Sequence, residues 1–305
     1  MPTSTATRSV DRRTRRLPTV VSPRECNAAG LTIDEVRAHV AAHRWQRVGR
    51  AVLRHNGLPT QEELRRAALI NCGPRAVLTA FSSLEDWGLR GWERLEIHVL
   101  VPRGARVRRA PGLPLRVHYT DDWRPQAMHL LRRLHRPAPA AVLAASTFPT
   151  ARPACGLLAA AVQQRLVRPD DLLPAVAGYT RIRHRAALVA AAGDIGQGAQ
   201  ALSEIDFARL CRSAGLPEPV RQAVRRDRNG RRRYLDVEWR RRDGRRVIAE
   251  IDGALHLAPT TWWADQLRQN DLAIADDVVL RYPSVIVRLE PALVLGQLTR
   301  ALLLA

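Results

Sequence analysis

Arg233-Tyr234-Leu235-Asp236-Val237-Glu238-Trp239 and Val247-Ile248-Ala249-Glu250-Ile251-Asp252-Gly253 are two alternating runs joined by a short basic turn. Apolar and polar residues alternate with the period of a strand, and Asp243-Gly244 between the runs is a strong hairpin signal. A turn centred on Asp243 sets Asp236 opposite Glu250, with Glu238 and Asp252 on the same face, because side chains alternate sides along a strand. Leu235, Val237, Trp239, Val247, Ala249 and Ile251 form the other, core face. Like charges facing one another destabilise a sheet, so the acidic face calls for a cation. Arginine from a neighbouring element and a divalent metal bound by carboxylate oxygens both answer that need.

Upstream, Ser203-Glu-Ile-Asp-Phe-Ala-Arg-Leu-Cys-Arg-Ser-Ala-Gly215 predicts a helix with Ser203 as N-cap and Gly215 as its stop. Phe207, Leu210, Cys211 and Ala214 make its apolar stripe. Glu204 falls on that stripe, where it serves either the pocket below or the helix dipole. Downstream come His256, Trp262, Trp263, Asp265, Arg268-Gln269-Asn270-Asp271 on a helix, and the strand Val278-Val-Leu-Arg-Tyr282.

A helical Glu, an Asp on one strand, Glu-x-Asp-Gly-x-x-His on its partner, a helix with Asp-x-x-Arg-Gln-Asn and a Val-Leu-Arg-Tyr strand follow in order. This series resembles the domain family related to very-short-patch-repair endonucleases, within the restriction-endonuclease-like fold, over about residues 200–304. The resemblance implies Mg²⁺- or Mn²⁺-dependent hydrolysis of phosphodiester bonds. It assigns the metal to Asp236 and Glu250, with Glu204 completing the shell, and puts Asp252 where the family pattern carries lysine. All 49 Lys plus Arg residues are arginine, which cannot act as a general base. His256 takes the proton-accepting role by the same resemblance. Gln269 is assigned to water or phosphate, and Arg268 and Asn270 to the DNA backbone. In an inert relative the same carboxylates are bridged by Arg268 or Arg281.

The whole chain has 305 residues, 46% of them hydrophobic, with a net charge of +20. That excess of positive charge points to a polyanion, most simply DNA. Four scattered cysteines, Cys26, Cys72, Cys155 and Cys211, read as core residues in a reducing cytoplasm, and no apolar run predicts a membrane span. Residues 1–20 read as a disordered basic arm rather than a secretory signal.

From residue 21 the pattern turns helical. Ser22-Pro-Arg-Glu25 and Thr32-Ile-Asp-Glu35 are capping boxes about ten residues apart, and Gly30 separates them. Trp45-Gln-Arg-Val48, Gly49 and Arg50-Ala-Val-Leu-Arg54 predict a small hairpin. The arrangement over residues 20–57 resembles the winged-helix segment of AbiEi-type antitoxin proteins. It implies that the second helix enters the major groove with Arg37, His43 and Arg44 exposed, while Arg47, Arg50 and Arg54 meet phosphates.

Thr60-Gln-Glu-Glu63 caps a third helix, and residues 94–101 and 115–119 predict strands joined by a basic loop, 103–109, read as a solvated turn or an addition to the DNA footprint. Residues 130–154 read as a surface connection, 154–192 as helical and 193–200 as a linker. The expected α/β architecture has a winged-helix region at 21–57, a middle α/β and helical region at 58–192, and a restriction-endonuclease-like mixed sheet flanked by helices at 200–305. The expected function is a cytoplasmic metal-dependent DNA endonuclease or nickase recruited by the basic N-terminal half. The competing reading is a DNA-binding regulator of antitoxin type with an inert nuclease-like domain. A homodimer or a toxin-like partner fits either; a membrane fits neither.

Overall fold

The computed structural model describes residues 13–15, 17–197, 204–218, 220–226, 232–241, 243–252, 278–283, 286–287 and 290–303. They form a mixed α/β protein whose chain divides into two compact units: residues up to 86 with 93–136, and residues 87–92 with 137 onward. The division falls at 136/137, inside the stretch that composition reads as one middle region.

The first unit begins with β1 (Val20–Val21), α1 (Pro23–Ala28), α2 (Ile33–Ala41), β2 (Gln46–Val48) and β3 (Ala51–Leu53). Both helices start on the boxes read from sequence: the Ser22 and Thr32 hydroxyls accept from the Glu25 and Glu35 amides, and each glutamate reaches back to its cap. The strands pair antiparallel in the order β1-β3-β2. Val21, Cys26, Leu31, Val36, Trp45 and Val52 close a small core beneath them. Residues 13–15 and 17–20, part of the stretch expected as a disordered arm, are ordered. Thr14 is buried, Leu17 packs on this core, and Arg13 pairs with Glu35.

The unit continues with α3 (Gln61–Cys72), β4 (Val77–Leu78), α4 (Ala80–Asp86), β5 (Ile97–Pro102), β6 (Leu115–Thr120), β7 (Met128–His129) and β8 (Leu134–His135). Thr60 caps α3 in a third capping box. The second sheet has the order β6-β5-β4-β8-β7. Strands β5 and β6 are parallel, from Ile97↔Leu115 to Pro102↔Thr120. Parallel neighbours cannot be joined by a tight turn, because the chain must travel back along the length of the strand before it re-enters the sheet. The basic loop is therefore a crossover of about 20 Å, six strand residues at about 3.3 Å each; its arginines are solvated as expected, but it is longer than a turn.

In the second unit, α5 (Pro137–Ala145), α6 (Ala151–Gln163), α7 (Pro169–Ala177) and α8 (Arg185–Gln197) pack on one another. Residues 130–154 are not a surface connection: Ala140, Ala141, Val142, Ala144 and Ala145 of α5 are fully buried. Alanine-rich helices read as featureless in sequence, yet small side chains let helix axes approach closely, so burial follows. The expected linker at 193–200 begins inside α8, which runs to Gln197.

The unit ends with α9 (Glu204–Ser213), β9 (Val220–Arg226), β10 (Arg232–Arg240), β11 (Arg246–Asp252), β12 (Val278–Pro283) and α10 (Pro291–Leu303). The sheet order is β12-β11-β10-β9, antiparallel except for the parallel pair β11 and β12. Val237, Trp239, Val247, Ala249, Leu280 and Tyr282 are buried, and the Trp239 indole donates to the Pro217 carbonyl at 2.8 Å while meeting Phe207 of α9 edge-on. Gly215 stops α9 in the left-handed region, at φ +74°. Arg152 of α6 holds Glu290, just before α10, through Nε at 2.7 Å and a second nitrogen. All four cysteines are buried and free.

Candidate nucleic-acid interface and acidic hairpin

The part expected to be a winged helix keeps most of its predicted contact residues in solvent. Arg37, His43, Arg44, Arg47 and Arg50 are exposed. Arg37 lies within an exposed pair with Asp34, a weak interaction in solvent. Arg44 Nε donates to His39 Nδ1 at 3.1 Å, and His39, itself buried, stacks on Trp45 at 4.2 Å. Arg54 differs from its expected role. Half-buried, it donates to the Leu17 carbonyl at 2.6 Å and ties the chain before β1 to the end of β3. The buried stripe of α2 runs through Val36 and His39, which leaves Ala41 exposed.

One buried side chain fixes the wing. Asn71, near the end of α3, donates to the carbonyls of Val48 and Ala67, both at 2.8 Å, and its Oδ1 accepts from the Arg50 amide at 2.9 Å. The turn between β2 and β3 sits so close that a Cβ at Gly49 would collide with the Asn71 amide and come within 3.0 Å of Ala110 Cβ. Gly49 also has φ +62°, so the position needs glycine twice over. Sequence reasoning passed over Asn71. The only signal was a polar residue on the apolar side of α3, which marks burial and not its partners.

Carboxylates of this unit are engaged elsewhere. Glu25 pairs with Arg66, Glu35 with Arg13, Glu63 with His55, and Glu85 and Asp86 with Arg65. The Arg13 guanidinium holds the Glu35 carboxyl below its ordinary range. Three histidines sit in and beside the second sheet. His98 Nδ1 lies 3.0 Å from His118 Nε2, and His135 Nδ1 lies 2.8 Å from the Thr79 hydroxyl. Burial pushes His98 down to about 4, aided by Arg116 and Arg94, and burial pushes His118 and His135 down to about 3. They are neutral hydrogen-bonding groups at physiological pH.

In the C-terminal hairpin, Val237↔Ala249, Glu238↔Ile248 and Trp239↔Val247 are partners. This is the register predicted from the Asp-Gly turn, and one further step sets Asp236 across from Glu250. Gly244 takes φ +83°, and the Asp243 carboxylate accepts from the Arg245 amide at 2.9 Å. Glu238 is buried. Glu250 meets a cation: its Oε2 accepts from Arg281 Nε at 2.8 Å, and the two residues are register partners on β11 and β12. Arginine thus answers the acidic face at Glu250. The backbones of Glu204, Asp236 and Asp252 lie on α9, β10 and β11, and their side chains, like His256, Arg268, Gln269 and Asn270, are outside the described residues. Among the described residues no group of three His, Cys, Asp or Glu is placed to hold a metal. Glu250 is the one member of the expected ligand set with a described side chain, and it is engaged by a guanidinium, so the described residues alone do not assemble a donor set for Mg²⁺.

Among the described residues no helix is long and apolar enough to cross a membrane. No family model matches the chain, and no curated protein matches it. Among solved structures, the Rv2827c protein from Mycobacterium tuberculosis is similar at 17% identity and a TM-score of 0.41, over 63% of this chain and 79% of that one, a likeness that carries no functional argument.

Proposed function

We propose that the chain binds double-stranded DNA through the winged-helix part of its first unit and acts as a DNA-binding regulator of antitoxin type. The observation that carries this reading is the β1-β3-β2 sheet joined to two capped helices, with Arg37, Arg44, Arg47 and Arg50 left in solvent. An exposed second helix is the element that enters a major groove, and arginines from the wing neutralise phosphates beside it. The +20 charge supplies the long-range attraction. Fluorescence anisotropy with a 20-bp duplex tests it: the expected result is binding that weakens steeply between 50 and 200 mM salt. Failure to bind at 50 mM salt overturns it.

A second reading is a metal-dependent endonuclease or nickase, favoured by the register that faces Asp236 with Glu250. When bound, Mg²⁺ would activate water and stabilise charge on the phosphate oxygens. The residues of this chain that would hold it are Asp236, Glu250 and Glu204. Glu250 would have to exchange Arg281 for the ion. Nicking of supercoiled plasmid with Mg²⁺ or Mn²⁺ that disappears in Asp236→Ala and with EDTA establishes the enzyme. No nicking, with DNA binding intact, leaves the regulator.

A further inference from the structure

The crossover between β5 and β6 does not run free over the surface. At the end of α3 the Asn71 carbonyl accepts from the Arg108 amide at 3.1 Å, while the Asn71 side chain holds the Arg50 amide and the Val48 carbonyl. Ala110 lies against Gly49. One residue therefore docks the crossover and the turn of the wing side by side. Both segments lack acids: residues 45–57 and 103–119 contain no Asp or Glu. Arg47 and Arg50 from the wing and Arg106, Arg108 and Arg109 from the crossover are exposed, and among the described residues no carboxylate pairs with them. Arg103 is different, being engaged by Asp121.

Five exposed guanidiniums that meet no carboxylate among the described residues, carried on two docked segments, repel one another, and a polyanion relieves that repulsion. We infer that the β5–β6 crossover and the wing form one composite phosphate-binding surface, joined through Asn71, that grips the backbone of duplex DNA on two elements at once. The inference rests on the DNA-binding reading and extends it. The contact area is wider than a winged helix alone, and the added part reads backbone rather than bases, since long arginines on a loop reach phosphates without entering a groove. Duplex DNA is favoured over RNA because the second partner of the surface is the groove-entering helix α2, on the same small fold as the wing.

The test uses the full chain, a 20-bp duplex of arbitrary sequence and anisotropy titrations from 50 to 300 mM NaCl. R106Q/R108Q/R109Q is expected to lower the slope of log affinity against log salt by about 2.7, close to 0.9 for each lost phosphate contact. R106K/R108K/R109K is expected to keep the slope. R47Q/R50Q is expected to lower it by about 1.8 by the same arithmetic. Thermal melts of all three should coincide with the unchanged protein, because every substituted side chain is exposed. An unchanged slope in R106Q/R108Q/R109Q beside a lowered one in R47Q/R50Q overturns the composite surface and leaves the DNA-binding reading standing. No binding of the unchanged protein overturns that reading itself. Tighter binding to a 20-nucleotide RNA, lost in R106Q/R108Q/R109Q, overturns the assignment to duplex DNA.

Discussion

The wing and the C-terminal hairpin are both short antiparallel hairpins rich in arginine, and they use charge in opposite ways. Around the wing, acids are held at helix starts: Glu25, Glu35 and Glu63 each close a capping box and also meet a partner from outside their own helix, Arg66, Arg13 and His55. Arg47 and Arg50 of the wing and Arg106, Arg108 and Arg109 of the crossover are left facing solvent. In the C-terminal hairpin the acid lies on the strand itself, and arginine from the parallel neighbour comes to it, as Arg281 does to Glu250. A chain with 49 arginines against 29 acids does not scatter its excess evenly. Where carboxylates have local backbone work to do, the surplus positive charge becomes available to a ligand. Where one stands on a sheet, as Glu250 does, arginine comes to it.

The largest expected effect tests whether the wing is fixed. Gly49→Ala combines a positive φ with a collision on Asn71, and Asn71→Ala leaves the Arg50 amide and Val48 carbonyl unpaired. Each should destabilise the first unit by about 2–3 kcal/mol, read as a lowered urea midpoint. Unchanged stability in both would mean that the wing hangs free.

The next effect separates the units by pH. His98, His118 and His135 have folded pKa values depressed well below 6.5, so the folded state binds fewer protons than the unfolded chain. Their contribution is complete above about pH 6.5 and is lost as pH falls toward 4 for His98 and toward 3 for His118 and His135. Urea titrations at pH 7.5, 6 and 5 should show the first unit weakening on acidification. His118→Gln should flatten that dependence, and equal pH profiles in both proteins would contradict the buried neutral pair.

Smaller still is the effect of Arg66→Gln, which removes the partner of Glu25 and a donor to the Val20 carbonyl at 2.6 Å. The loss should be about 1 kcal/mol, since the pair is partly solvated. Smallest is Arg281→Gln. Its pair with Glu250 is more than half exposed on the arginine side and contributes no more than about 1 kcal/mol, so melting should barely move. The same variant sharpens the functional contrast: if Glu250 serves a metal, plasmid nicking rises when Arg281 is gone, and if the hairpin is inert, nicking stays absent.

Local readings carried far. The capping boxes at Ser22, Thr32 and Thr60, the Asp-Gly turn with its register, and the alternating face of Val237, Trp239, Val247 and Ala249 were legible in the chain, because each depends on residues a few positions apart. Backbone donors at a helix start and the two-residue period of a strand act at short range, so their signatures are contiguous. Alanine-rich α5 was not legible, since its burial depends on the helices it meets and not on its own pattern. Nor were the parallel pairing that turns a basic loop into a crossover, the meeting of that crossover with the wing at Asn71, or the choice of Arg281 as the partner of Glu250. Each joins segments well separated in the chain, from 18 residues apart for Ile97 and Leu115 to 61 for Gly49 and Ala110. Only the assembled sheet and its packed helix decide such neighbours, because contacts of that range are selected by the burial of whole faces rather than by the preference of any one residue.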